Sequence, residues 1–214
     1  MKNEHLYDVA ELLRSPLEFL ARVEEGTGVA GPILFLSAMS AGGAALFGFA
    51  LGSFAGATTG LLDALKMAGV VLFSYALTYP SLYVFSSICG YRYSALRLAT
   101  FGLVSTGVLG CLLAALAPIL WVFAVSTETK AFIMVFSVLL AGVALIVAFR
   151  PFVRGVDQRS DSSNAGIVVW FVLFTLVALQ TVTLLRPMLS PTADPTTARE
   201  KRFFFQHFVE EIHR

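Results

Sequence analysis

The sequence predicts an all-α fold: a polytopic transmembrane helical bundle with about five spans and an amphipathic helix at each terminus. Three observations carry this. Asp, Glu, Lys and Arg are missing from five stretches, 26–62, 67–91, 98–127, 131–149 and 162–185. Each is close to or above the roughly 20 mostly apolar residues that cross a bilayer core. Apolar residues make up 57% of the 214 and charged residues 14%, against roughly 45–50% and 25% in soluble domains. No strand pattern interrupts the apolar runs, and a helix satisfies its own backbone in hydrocarbon. The spans expected are 31–55, 67–88, 98–124, 131–149 and 165–185, inside a membrane domain 29–186.

The N-terminal segment 1–28 opens the chain with two short amphipathic helices. Leu6, Val9, Ala10 and Leu13 share one face of the first. Ser15-Pro16-Leu17-Glu18 reads as a capping box with Pro at the first helical position of the second, which carries Phe19, Leu20 and Val23. The expectation is an interfacial element lying on the membrane. The first apolar run starts behind this charged segment, so no cleavable signal is expected.

Span one is rich in small residues. Gly48, Gly52 and Gly56 recur every four positions, with Ser40 and Ala44 on the same line. Such spacing lets helices approach closely in lipid, and an interface within the bundle is expected. Asp63 and Lys66 precede span two and are expected to pair or snorkel at the interface. Tyr75, Tyr79 and Tyr83 stand four apart along span two, and Pro80 frees a backbone carbonyl near Ala76. With Gln180 of span five, these tyrosines are the candidates for lining a polar path. Interhelical hydrogen bonding is the plainer expectation.

Span three carries Pro118, with Trp121 expected near an interface. The connection 126–130 is short, so spans three and four form a hairpin. The stretch from Arg150 to Asn164 is expected to be a polar loop. Cys89 and Cys111 fall at different depths, and no disulfide is expected. The tail 187–214 contains Pro187, Pro191 and Pro195 and then an apolar face of Phe204, Phe205, Phe208, Val209 and Ile212. Such a face takes a membrane surface or a partner groove. The residues singled out for partner or membrane docking are Phe204, Phe205, Phe208 and Ile212.

Basic residues set the expected orientation. Among the loops between spans, Arg92, Arg97, Arg150, Arg154 and Arg159 lie on one side, and Lys66 and Lys130 on the other. The N-terminus is therefore expected in the cytoplasm and the C-terminus outside. His5, His207 and His213 are terminal and pair with no Cys or carboxylate at ligand spacing. No catalytic residue, metal ligand or cofactor is expected, and the net charge of +1 gives no reason to expect nucleic acid.

The segments Leu12-Leu-Arg-Ser-Pro-Leu-Glu-Phe19, Phe47-Gly-Phe-Ala-Leu-Gly-Ser-Phe54, Lys66, Tyr79-Pro-Ser-Leu-Tyr-Val-Phe85 and Leu185-Arg-Pro187 together resemble bacterial Yip-type membrane proteins. These are distant relatives of the Rab-interacting Yip family. The resemblance implies five spans, a cytoplasmic N-terminus in a bacterial inner membrane, and no defined enzymatic activity. The Phe-rich tail is an addition to the short end of such proteins. The functional expectation is a non-enzymatic membrane subunit or scaffold that assembles with protein partners or with itself in the lipid bilayer. The rival expectation is a small-molecule or ion channel or transporter, and a third is a lipid-handling enzyme.

Overall fold

The uncharged stretches become helices, and several run past the charged residues that seemed to bound them. The computed structural model describes residues 9–25, 30–88, 95–157 and 165–184. Among them every regular element is helical: α1 (Val9–Arg14), α2 (Pro16–Glu25), α3 (Ala30–Gly52), α4 (Ala57–Ile88), α5 (Ala95–Ser126), α6 (Lys130–Asp157) and α7 (Ala165–Leu184). Four stretches are long and apolar enough to cross a membrane: Gly31–Ala55, Ala57–Ile88, Leu98–Ser126 and Lys130–Phe152. In α7 the apolar stretch Gly166–Val182 is shorter.

Span two begins ten residues earlier than expected. After α3 a 3-10 turn, Ser53–Ala55, leads to Gly56 at φ +114. Glycine reaches that left-handed conformation without a Cβ clash, so the chain reverses within four residues. The helix restarts at Ala57 and takes Asp63 and Lys66 into its body. Arg150 likewise bounds nothing. The expected loop there is helix as far as Asp157, through Pro151. Phe149 and Phe152 are buried at 2% and 0% exposure. Phe152 meets Phe101 of α5 edge to face at 5.0 Å. Burying those rings carries α6 two turns past the arginine.

α3 lies between α4 and α5 and packs along both. Gly52 faces Gly60 and Gly48 faces Met67, so α3 and α4 are antiparallel. Leu36 faces Gly107 and Met39 faces Gly110, so α3 and α5 run parallel. α6 returns along α5, and Phe123, Phe132 and Phe136 cluster at the end where they join. α7 packs along α4 and meets α6 through Phe149, Trp170, Phe171 and Phe174.

The N-terminal helices turn their apolar face to protein. α2 begins at Pro16, as the Ser-Pro pair predicts. Leu12, Phe19 and Val23 are at most 1% exposed, and the two helices contact α5 and α6. The expected interfacial contact with lipid is therefore made by none of these three side chains. The face expected for α1 is also corrected. Leu12 is buried, whereas Ala10 is exposed and Leu13 is 44% exposed. Leu12 settles over Gly107 of α5, and that seat sets the rotation of so short a helix. An Arg22–Glu11 ion pair ties α2 to α1.

Candidate functional site

Asp63 is the most unusual side chain in the bundle. It is 0% exposed, although Leu61, Leu62 and Leu65 beside it are 66%, 55% and 75% exposed. The outer side of this turn is thus an apolar surface suited to lipid, while its inner side holds a carboxylate. Lys66, one turn on, donates to Asp63 Oδ1 at 3.2 Å. The lysine side chain is 24% exposed and bridges the buried oxygen to the bundle surface. Two glycines of α3 make the room. A Cβ on Gly52 would lie 2.8 Å from Asp63 Oδ2 and 2.8 Å from Gly60 Cα. One on Gly48 would overlap the Asp63 carbonyl and lie 2.7 Å from Met67 Cγ. Sequence reading placed this pair at the boundary and took the spans to hold no carboxylate. α4 starts early enough to take both residues into a helix of membrane length, and there they pair, as expected of them.

The glycine stripe divides by role. Gly48 and Gly52 press α3 on α4, while Gly56 has nothing within 4 Å of its Cβ position and acts through its turn conformation. Ser40 donates to Thr106 O of α5 at 3.0 Å. An i,i+4 line drifts ~40° round a helix per step. It therefore starts on the α5 face at Ser40 and reaches the α4 face by Gly48. The closest approach of all was not singled out from the sequence. A Cβ on Gly43 would overlap the Gly110 carbonyl, and one on Gly110 would sit 2.7 Å from Ser40 Cα. The signal available was the Gly42-Gly43 pair together with Gly107 and Gly110.

The tyrosines part company. Tyr75 Oη donates to Ala99 O at 2.7 Å, and Tyr79 Oη to Ala95 O at 2.8 Å. Both staple α4 to the first turns of α5. Tyr83 is 44% exposed. Gln180 is half-buried on α7, ~15 Å along that helix from Trp170. Trp170 Nε1 donates to Thr78 O at 3.1 Å, close to the Pro80 break. This staple from α7 was also missed from the sequence, because nothing in a Trp's neighbours tells which backbone it will meet. Several Ser and Thr hydroxyls in the spans bond carbonyls four residues back on their own helix, as Thr78, Thr100, Ser105, Thr175 and Thr181 do.

On the outer side of α3 an open groove of about 540 Å³ runs between α4 and α5. Ala38, Gly42, Leu46, Phe49, Ala64 and Ala114 line it. Ala38 and Gly42 are exposed, and Gly42 has nothing within 4 Å of its Cβ position. Among the described residues, no three of His, Cys, Asp and Glu are grouped to hold a metal. Cys111 is a free, buried thiol. Cys89 and the docking residues Phe204, Phe205, Phe208 and Ile212 lie outside the described residues.

Helical bundle, apolar membrane-length spans and one buried ion pair define the class: an all-α integral membrane protein. Compared with family models, curated proteins and solved structures, the chain matches none.

Proposed function

We propose that this protein is a non-enzymatic membrane subunit, a scaffold that holds partner proteins through their transmembrane helices. The observation that carries the reading is the α3 groove. In lipid, helices associate through close packing of small residues and not through hydrophobic burial. Ala38 and Gly42 offer such a surface, and Leu46 and Phe49 bound it. The inner polar groups act within the molecule: Tyr75, Tyr79, Trp170 and Ser40 each bond a carbonyl of a neighbouring helix. The Yip-type resemblance supports the same reading. The balance of basic residues near the span ends favours a cytoplasmic N-terminus, and the resemblance a bacterial inner membrane.

Gly42→Leu places a side chain in the groove at a position where a Cβ meets nothing within 4 Å. In nanodiscs it should reduce the assembled mass to that of the lone chain and leave the unfolding midpoint unchanged. Retention of the wild-type assembly would end the groove reading. The channel or transporter reading is favoured by one observation, the buried Asp63 carboxylate. Against it stand the hydroxyls of Tyr75 and Tyr79, which are held by α5 and not turned to a path.

A further inference from the structure

We propose that the tail residues Phe204, Phe205, Phe208 and Ile212 are a tethered occupant of the α3 groove, seated there in the free molecule and displaced when a partner's helix binds. This regulation rests on the groove being the partner site. The groove asks for an apolar occupant. Leu46, Phe49, Ala64 and Ala114 line it, and Ala38 and Gly42 lie exposed in it.

Chain direction brings the tail to this place. α3 and α5 run parallel, α6 returns along α5, and α7 meets α6 through Phe149, Trp170 and Phe174 near the connection between them. α7 therefore runs with α3 and against α4. Trp170 Nε1 is fixed to Thr78 O of α4. α7 ends at Leu184, fourteen residues further on, which is ~21 Å along the helix. The same count back along α4 from Thr78 arrives at Ala64, which lines the groove. The chain thus leaves α7 level with the groove, with α4 standing between.

Thirty residues, 185–214, follow that point and lie outside the described residues. The first eleven, 185–195, include Pro187, Pro191 and Pro195. A Pro-rich linker covers ~3.1 Å per residue, so eleven residues reach up to ~34 Å. A helix is ~10–12 Å across, and the way round α4 is well within that reach. Phe204, Phe208 and Ile212 recur every four residues, the spacing with which an amphipathic helix fills an apolar groove. Leu46 and Phe49 stand within two turns of the Ser53–Ala55 turn that closes this end of α3. The charged residues Lys201, Arg202, Glu210 and Glu211 can therefore rest over the end of the bundle while the aromatic rings enter the groove. A partner must find the groove by diffusion, whereas the tail is held beside it at a high effective concentration.

The test uses the full chain in its own membrane, with Cys89 and Cys111 replaced by Ser and Phe208 by Cys. A second cysteine replaces Leu46 in the groove or, as a control, Leu139 of α6; these are 56% and 60% exposed. The contacts of Phe101 with Phe152 and of Phe123 with Phe132 put Leu139 about level with Ala114 of the groove. A short thiol-to-thiol cross-linker should join Phe208→Cys to Leu46→Cys within one chain at least about fivefold more than to Leu139→Cys. Adding Phe204→Ser/Phe205→Ser should abolish the preference. Without the cysteines, the same serine pair in nanodiscs should raise the assembled fraction by about threefold at a fixed protein-to-lipid ratio. Absent or equal cross-linking would overturn the proposal. So would a product of twice the chain's mass, which would make a second copy the occupant. An assembled fraction unmoved by the serine pair would overturn the competition. Unchanged assembly of Gly42→Leu ends the partner reading alone, while the cross-link within one chain still reports the seated tail.

Discussion

Gly43 and Gly42 are neighbours on α3, yet replacing each by alanine should have opposite outcomes. A methyl on Gly43 would overlap the Gly110 carbonyl and lie 2.8 Å from Gly110 Cα. Carbon atoms rest at ~3.5–4.0 Å, so α3 and α5 must part by at least about 1 Å at their crossing. A gap of 0.5–1 Å forfeits roughly a quarter to a half of each pairwise attraction, itself about 0.1–0.2 kcal/mol. Over some tens of atom pairs at the crossing this amounts to roughly 1–2 kcal/mol. The bond from Ser40 to Thr106 O, at 3.0 Å, stretches at the same time. An interhelical hydrogen bond in a membrane contributes about 0.6 kcal/mol. The expected loss is therefore about 2–3 kcal/mol, in line with overpacked cores generally. Gly42→Ala meets nothing within 4 Å and should stay within about 0.5 kcal/mol of wild type, as surface substitutions do. Both variants exchange Gly for Ala in the same helix, so their difference isolates the crossing. Equilibrium unfolding in mixed micelles measures it. Equal stability of the two variants would show that α3 and α5 do not touch at Gly43, and the packing order given above would fall with it.

Tyr75→Phe removes the hydroxyl bond to Ala99 O and should lower stability by about 0.6–1.7 kcal/mol, while Tyr83→Phe, at an exposed position, should not; the same unfolding titration compares them, and equal losses would refute the staple. With Cys89 and Cys111 replaced, a cysteine at Ser160 should be shielded from an impermeant thiol reagent in intact cells and one at Ala193 should react; the reverse pattern would place the N-terminus outside.

Helix type was legible throughout, because an uncharged run of 20 residues leaves few alternatives. Boundaries were not, since charge was used as the marker of an end. Asp63, Lys66 and Arg150 all sit inside helices. A carboxylate neutralised one turn away, or an arginine flanked by buried Phe149 and Phe152, does not stop a helix. The glycine line predicted close packing correctly at Gly48 and Gly52. It could not reveal that Gly43 meets Gly110, because spacing along one helix says nothing about which helix lies opposite. The tyrosine line makes the expected interhelical hydrogen bonds at two of its three positions. Tyr75 and Tyr79 reach the carbonyls of Ala99 and Ala95 at the start of α5. Tyr83 lies one turn further on and stands exposed. Of the candidate site, the residues Asp63 and Lys66 were visible, but the burial of Asp63 depended on a tight turn set by one glycine at positive φ.

The crossing of α3 with α5 also imposes a waiting time. Gly110 follows Gly43 by 67 residues. At a synthesis rate of 5–20 residues per second, that is about 3–13 s. Helix α4 is made within that interval and covers the Gly48–Gly52 side. The Gly43 side, which ends in the tightest contact of the fold, stays bare until α5 emerges. Lipid, or a neighbouring chain in the membrane, is its neighbour for those seconds, and α5 must displace whatever it finds there.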